Sequence, residues 1–181
     1  ASHPGSPMRT ALQPSLAPAT PSVVDDVTVR LIAGFILAAG ILAAATQQWW
    51  VHALLAVDFA LRAFVGPHVS PLARFVRRFV RPRVALPPRP TAGTPKRFAA
   101  GIGAVMTTGL VAAWLIHLAT DAGAPLAVVW VIAAIMAVFP ALEAVAGVCV
   151  GCILYGFLAR RGVLRDDLCI DCVQPGVRAV A

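Results

Sequence analysis

The sequence has few charged side chains. Only 13% of its 181 residues are Asp, Glu, Lys or Arg, whereas 59% are apolar. An ordinary soluble domain has about 25% charged and about 45–50% apolar residues, so this chain lacks the polar side chains that would cover a water-facing surface. Its apolar residues are also grouped in runs of about twenty, the length of a helix that crosses a hydrocarbon core about 30 Å thick. The composition therefore predicts a polytopic membrane protein.

The sequence also lacks the motifs of common nucleotide-binding and hydrolytic enzymes. It contains no G-x-x-x-x-G-K-[ST], no G-x-G-x-x-G and no G-x-S-x-G. P-loop enzymes, Rossmann dehydrogenases and α/β-hydrolases are therefore not favoured. The sequence alone does not name a reaction.

Lysine is nearly absent, because fourteen of the fifteen basic residues are arginines, a usage typical of high-GC genomes such as those of actinobacteria. Eight of the fifteen lie between residues 74 and 97, in one segment between apolar runs. A basic segment in that position indicates membrane orientation and contact with anionic lipid, and no nucleic-acid partner is expected. The arginines expected to bind lipid are Arg74, Arg77, Arg78 and Arg81.

Four apolar runs predict an all-α, four-transmembrane-helix bundle. The runs lie at about 27–46, 49–65, 98–120 and 126–159. The last is too long for one perpendicular crossing of about 20 residues. Pro140, Gly147 and Gly151 are places where it could kink or break, so one kinked helix and two separate helices both remain open. A flexible Pro/Ser/Ala-rich tail is expected over 1–22, the membrane domain over 23–162 and a cytoplasmic C-terminal tail over 163–181.

A basic amphipathic helix is predicted between the second and third spans. Ser70 is a plausible N-cap and Pro71 suits the first helical position. Apolar residues then share one face and arginines take the other, which is typical of a helix lying on an anionic membrane surface. The apolar residues of this face are Leu72, Phe75, Val76, Phe79 and Val80.

The distribution of basic residues predicts the orientation of the spans. The turns at 46–51 and 119–126 contain no Lys or Arg, whereas the other flanks hold nearly all of them. By the positive-inside rule, both termini and the basic segment are expected on the cytoplasmic side of a bacterial cytoplasmic membrane.

The most specific chemical signal is the spacing of the cysteines. All four occur in two pairs, Cys149/Cys152 and Cys169/Cys172, in the pattern C-x2-C-x16-C-x2-C. Two such pairs suit a tetrahedral Zn²⁺ site, in which each pair supplies two thiolates. The same pattern suits a dithiol relay that passes electrons by thiol–disulfide exchange. Both alternatives place the four sulfur atoms together at the cytoplasmic membrane face, where a permanent structural disulfide is not expected.

The helix around the first pair bears on this choice. If the last span continues unbroken, Cys149 and Cys152 lie near a helix C-terminus, whose dipole disfavours thiolate and favours a quiet or metal-bound pair. If Gly147 breaks the span and a new helix begins, the pair lies at a helix N-terminus, which favours a nucleophilic thiolate.

Three ionisable residues lie inside the predicted spans. Asp58 and Arg62 are spaced i, i+4 and are expected to pair. Glu143 has no partner on its own helix and is expected to face Arg62 or to stay protonated. A charge in hydrocarbon costs about 2.5–3.5 kcal/mol on insertion scales, so these groups either fix the packing of the bundle or form a proton or substrate site.

Three stretches resemble the DUF4395 family of small bacterial membrane proteins, over about residues 23–172. The first runs from Asp58 to Phe64 with Ser70-Pro-Leu72, and the second is Pro95-Lys-Arg-Phe-Ala99 with Gly103. The most distinctive is Glu143-Ala-Val-Ala-Gly-Val-Cys149-Val-Gly-Cys152-Ile-Leu-Tyr155. The family has no assigned activity, and its members often occur beside thioredoxin-like or rhodanese-like proteins. The resemblance therefore implies thiol or sulfur chemistry and partners of those classes.

Three functions remain open on these grounds. The first is a thiol-based redox or sulfur-handling membrane protein that uses all four cysteines. The second is a non-catalytic subunit or assembly factor of a larger membrane complex, in which Cys149, Cys152, Cys169 and Cys172 hold a structural zinc. The third is a small-solute or proton transporter that uses Glu143.

Overall fold

The structure is a computed structural model that describes residues 23–164. The expected tail at 1–22, residues 165–181 of the expected C-terminal tail, and Cys169 and Cys172 lie outside the described residues. The described chain is almost entirely helical, with one pair of short strands. In chain order the elements are β1 (Val23–Asp25), α1 (Asp26–Thr46), α2 (Val51–Ala60, continued by a π-helical turn, Leu61–Val65), α3 (Pro71–Phe75, continued by π-helical Val76–Val80 and 3-10 Arg81–Arg83), β2 (Pro90–Ala92), α4 (Gly93–Thr120), α5 (Gly123–Ala141, continued by π-helical Leu142–Ala146) and α6 (Val150–Arg160).

Three described helices are long and apolar enough to cross a membrane. They are α1 with 21 residues, α4 with 28 and the continuous helix Gly123–Ala146 with 24. Each reaches the length of about 20 residues that a hydrocarbon core requires. A helical protein with helices of spanning length is therefore confirmed, and the predicted spans at 27–46 and 98–120 coincide with α1 and α4.

The helix of the second predicted span is shorter than the three helices of spanning length. Its helix begins at Val51, after the turn at Gln47–Trp50, and ends at Val65, before Gly66 and Pro67, so it has fifteen residues. At 1.5 Å per residue this helix is about 22 Å long, less than the hydrocarbon thickness of about 30 Å. Helix α2 packs along α4, where Phe59 covers the Cα of Gly103.

The fourth predicted span consists of two helices. Gly147 has a φ of +70°, a left-handed conformation that L-residues with a side chain rarely adopt. Its N–H and that of Val148 close the end of the preceding helix on the carbonyls of Glu143 and Leu142. A separate eleven-residue helix, α6, then begins at Val150. The interpretation with a break at Gly147 therefore holds.

The arginine-rich segment forms the expected helix, with a different buried face. Ser70 caps it by accepting a hydrogen bond from the Ala73 N–H at 3.1 Å, and Pro71 is its first residue. Ala73 and Val76 are buried in the main apolar core. Phe75 and Phe79, which the amphipathic pattern assigns to the same face, are exposed and contact each other. The bundle therefore contacts α3 through Ala73 and Val76 and leaves the rings of Phe75 and Phe79 exposed.

The proline-rich connection after α3 is tied to the start of the described chain. Its end, β2, pairs antiparallel with β1, with Val23 opposite Ala92 and Asp25 opposite Pro90. The two strands of this small sheet are distant in the sequence, and each lies directly before a long helix, β1 before α1 and β2 before α4. Their pairing therefore places the first residues of those two helices side by side.

Candidate functional site

A partly open cavity lies where the end of α1 next to β1 meets α2, α4, α5 and α6. Its volume is about 260 Å³. The walls are mainly apolar and include Ile36, Phe59, Met136 and Leu154. Four lining residues are charged and one is a cysteine: Arg62, Lys96, Arg97, Glu143 and Cys149. The fold thus brings Glu143, Arg62 and Cys149 to the wall of one cavity.

Lys96, which the sequence analysis did not single out as a site residue, is the direct partner of Glu143. Its Nζ lies 2.7 Å from Glu143 Oε1 and 3.5 Å from Asp26 Oδ1. The expectation that Glu143 faces Arg62 as its partner is therefore wrong. Arg62 interacts with Glu143 electrostatically, without a direct ion pair. Lys96 reaches Glu143 because the pairing of β1 with β2 places the first turn of α4 beside α1 and α5.

Asp58 and Arg62 form the expected ion pair within the second helix. Arg62 Nη2 lies 2.8 Å from Asp58 Oδ2, and both side chains are nearly buried. The Arg62 guanidinium also lies over the Phe59 ring, 4.5 Å from its centroid. Arg62 therefore presents a compensated positive charge to the cavity.

Asp58 also fixes the start of α3. Its Oδ1 accepts hydrogen bonds from Ser70 Oγ at 2.6 Å and from the Leu72 N–H at 3.1 Å. One carboxylate thus holds the guanidinium of its own helix and the N-terminus of the next. These contacts support the interpretation of Asp58 as a group that fixes packing.

Two arginines close helix ends around the cavity. Arg30 donates to the carbonyls of Ala144, at 3.2 Å, and Val145, at 2.7 Å. Arg97 donates to the carbonyl of Ala63 at 2.9 Å and to that of Phe64 at 3.2 Å. Carbonyls at a helix C-terminus have no partner in their own helix, so an arginine from another helix stabilises them. The sequence contains only a weak signal for these roles, namely a cation near the start of a span.

Cys149 and Cys152 are joined by a disulfide at the start of α6, with a Cα–Cα distance of 5.2 Å. Cys149 is the N-cap residue of α6, and its Sγ accepts the N–H of Cys152 at 3.3 Å. Both residues are half-buried, and Cys149 forms part of the cavity wall. Gly151, between them, packs directly on Ala99 of α4. The break at Gly147 therefore places the pair at a helix N-terminus, next to the cavity.

The described residues contain only half of the expected four-cysteine zinc site. Zinc is held by thiolates, and the sulfur atoms of a disulfide are not thiolates. Within residues 23–164 no three His, Cys, Asp or Glu side chains are grouped as a metal site would require. The other two expected ligands, Cys169 and Cys172, lie outside the described residues, so the convergence of all four sulfur atoms stays a prediction.

The arginines expected to bind lipid lie on α3, and three of them make polar contacts within the protein. Arg74 Nε donates to the His68 carbonyl at 2.7 Å, and Arg77 Nη2 donates to the Pro67 carbonyl at 3.1 Å. Arg81 forms an ion pair with Asp25. Together with Arg78 and the exposed rings of α3, Arg74 and Arg77 line a shallow surface groove.

Asp25 connects α1 to the arginine-rich segment. Its Oδ2 accepts from Thr28 Oγ1 and from Arg81 Nε, both at 2.7 Å, and its Oδ1 accepts from the Arg89 N–H at 3.0 Å. Burial alone would raise the pKa of this carboxyl. The hydrogen bonds and the Arg81 charge outweigh burial and hold the Asp25 pKa well below its ordinary value.

Comparison with protein-family models gives a match over most of the chain. The family model described as Domain of unknown function (DUF4395) matches residues 24–160. The matched range contains Lys96, Glu143, Cys149 and Cys152 and ends before the second cysteine pair. No curated protein and no solved structure matches the chain.

Proposed function

Because the chain belongs to the DUF4395 family, whose description assigns no function, we propose its role from the site itself: a membrane thiol–disulfide protein whose reacting couple is Cys149 and Cys152. In this role the two thiols lose two electrons and two protons as the disulfide forms, and regain them when a partner dithiol reduces it. The observation that carries the proposal is the position of the pair. The pair lies at the N-terminus of α6, and Cys149 forms part of the wall of a cavity that charged residues from several helices also line.

The local geometry supports a reactive dithiol. A helix N-terminus carries a partial positive charge, which stabilises a thiolate, the nucleophile in disulfide exchange. The Cys152 N–H that Cys149 Sγ accepts adds to this effect. Gly151 holds the turn against α4, so the two sulfur atoms stay close when they are reduced.

We further propose how electrons reach this pair. Cys169 and Cys172 would exchange with Cys149–Cys152 and with a soluble partner, which the family resemblance suggests is thioredoxin-like or rhodanese-like. The zinc and transport alternatives have less support. The paired sulfur atoms do not suit zinc, and the Glu143 carboxylate is engaged by Lys96.

The proposal includes a four-span topology in a bacterial cytoplasmic membrane, with both termini cytoplasmic. The fifteen-residue second helix crosses the membrane with its polar flanks in the headgroups. The exposed rings of Phe75 and Phe79 on α3 enter the inner leaflet beside Arg78.

Single cysteines test this topology in a cysteine-free background. Gln47→Cys should react with an impermeant maleimide from outside whole cells, and His68→Cys only after the cells are opened. Equal labelling of both from outside would contradict the topology.

A redox titration of purified protein tests the chemical role. In the Cys169→Ser/Cys172→Ser variant, the two remaining thiols should become alkylatable together in one two-electron transition, with a tenfold change in the ratio per about 29.6 mV. Near-ultraviolet circular dichroism should report a folded protein throughout. Further substitution of Cys152→Ser should remove the transition and is the control. A pair that can be reduced only after unfolding would contradict the proposal.

A further inference from the structure

The cavity beside the disulfide identifies the class of molecule that takes its electrons. A dithiol releases two electrons and two protons, so a single partner that receives both must be a two-electron, two-proton acceptor. The wall of the cavity is mainly apolar, and much of it is built by α1, α4 and α5, the three helices of membrane-spanning length. Such a wall suits an acceptor that is soluble in lipid.

We propose that the cavity binds the head group of a lipid-soluble quinone, which oxidises Cys149 and Cys152; the proposal rests on the proposed function. A volume of about 260 Å³ suits one substituted ring. It lies just below the range of about 300–1,000 Å³ that is typical of ligand pockets, so one ring fits it better than a nucleotide or a porphyrin does. Quinone is also the oxidant of membrane dithiols that keep the bacterial periplasm oxidising, so the reaction class is chemically established.

The charged residues of the wall suit the polar atoms of a quinone. Lys96 and Arg62 both line the cavity, and each is compensated by a carboxylate. Either cation can donate a hydrogen bond to a quinone carbonyl. The same contact stabilises the negative charge that develops on that oxygen during reduction. A purely packing role for the ion pairs would not require them to border the cavity.

The two cysteines have different positions and therefore different roles. Cys149 lines the cavity, whereas Cys152 is not part of its wall. The Cys149 thiolate adds to a ring carbon, which forms a sulfur–carbon bond and moves an electron pair to a carbonyl oxygen. The Cys152 thiolate then attacks Cys149 Sγ. The disulfide forms, the sulfur–carbon bond breaks and its electron pair stays on the ring. The two thiol protons end on the two oxygens, giving one quinol per disulfide.

The test follows quinone reduction by pre-reduced Cys169→Ser/Cys172→Ser protein in detergent without oxygen. The probe is decylubiquinone, whose ring has no free position at which a thiol could remain attached. One quinone should be consumed per disulfide formed, with a rate that saturates as the quinone concentration rises. A linear, unsaturable rate would mean that the quinone reacts without a site, and would overturn the proposal.

Two variants on α5 locate the reaction. Met136 is buried and lines the cavity, whereas Val131 is exposed on the outside of the same helix. Met136→Trp should lower the rate at a fixed subsaturating quinone concentration at least tenfold, and Val131→Trp should leave it within twofold. If Met136→Trp does not fold, Ala33→Leu fills the cavity from α1 instead. Equal rates in cavity and control variants would overturn the site.

A third measurement separates this proposal from the function on which it rests. The same proteins are titrated against oxidised and reduced dithiothreitol, which needs no lipid-soluble site. A normal dithiol transition without saturable quinone reduction would overturn the quinone site and leave the thiol–disulfide function standing. Absence of any transition in the folded protein would contradict both.

Discussion

Gly151 and Ala99 bring α6 into direct contact with α4. A Cβ atom at Gly151 would lie 2.5 Å from Ala99 Cβ and 2.8 Å from Ala99 Cα, well inside the distance at which two carbons can approach. Because one of these atoms belongs to the backbone of α4, a side chain at this position could be accommodated only by movement of a helix. The glycine between Cys149 and Cys152 thus fixes the disulfide at the cavity wall.

Gly151→Ala is therefore expected to destabilise the protein. Overpacking typically lowers the free energy of unfolding by about 1–3 kcal/mol. Gly156→Ala is the matched control, since a Cβ there meets nothing within 4 Å and the site is in the same helix. That change should stabilise by about 0.5–1 kcal/mol through helix propensity. Thermal unfolding in detergent measures both. Equal stabilisation by the two substitutions would show that Gly151 does not pack as described.

Lys96 and Glu143 should be energetically coupled. Each single substitution to Met leaves a partly buried charge without its closest partner, whereas the double variant removes both charges. The coupling free energy between contacting residues in such a cycle is about 0.5–3 kcal/mol. Chemical unfolding of the four proteins measures it. In the control cycle, Lys96→Met is combined with Asp121→Asn, which is exposed at the other end of α4, and the effects should add. Additive effects in the Lys96/Glu143 cycle would contradict the ion pair.

Asp58 should contribute more to the free energy of unfolding than Ser70, the N-cap residue of α3 that it contacts. Asp58→Ala leaves Arg62 buried without its counter-charge and removes the acceptor of Ser70 and Leu72. Loss of one partner of a buried ion pair lowers the free energy of unfolding by about 3–5 kcal/mol. Ser70→Ala removes only the N-cap and its bond to Asp58, an effect of about 0.5–2 kcal/mol. If denaturant unfolding gives Asp58→Ala no larger effect than Ser70→Ala, the central role of this carboxylate is refuted.

Asp25 should make stability depend on acid pH. Its pKa is lowered in the folded protein, whereas an unfolded aspartate has a pKa of about 3.9. The unfolded state therefore binds more protons, so the stability contributed by Asp25 is present above about pH 5 and is lost as the pH falls below about 4. Apparent melting temperatures between about pH 2 and neutral pH measure the effect. Asp25→Asn should flatten the acid limb, and Asp121→Asn should not. An unchanged acid limb in Asp25→Asn would contradict the assignment.

Much of the architecture follows from short-range patterns in the sequence. Hydrophobic run length predicts α1 and α4, and the N-cap pattern of Ser70 and Pro71 predicts the start of α3. The i, i+4 spacing predicts the Asp58–Arg62 pair. The left-handed glycine at position 147 settles a choice that hydropathy left open, because hydropathy does not distinguish a kinked helix from two helices.

The partners that the sequence did not reveal are all distant in the chain. Glu143 pairs with Lys96 because β1 and β2 bring the starts of α1 and α4 together, and each strand has only three residues, two of those in β2 being Pro90 and Thr91. So short a pairing has no periodicity to detect. The amphipathic pattern of α3 likewise does not tell which part of a wide apolar face contacts protein and which stays outside.

The most direct test of the account is the redox state of Cys149 and Cys152 in intact membranes. Cells are quenched in acid, free thiols are alkylated with a light maleimide, and disulfides are then reduced and alkylated with a heavy one. Mass spectrometry reads the chymotryptic peptide that carries both cysteines. The account predicts two light or two heavy labels on each peptide, with the ratio moving as cells are treated with dithiothreitol or diamide. Peptides with one label of each kind, or a ratio that neither treatment changes, would contradict it.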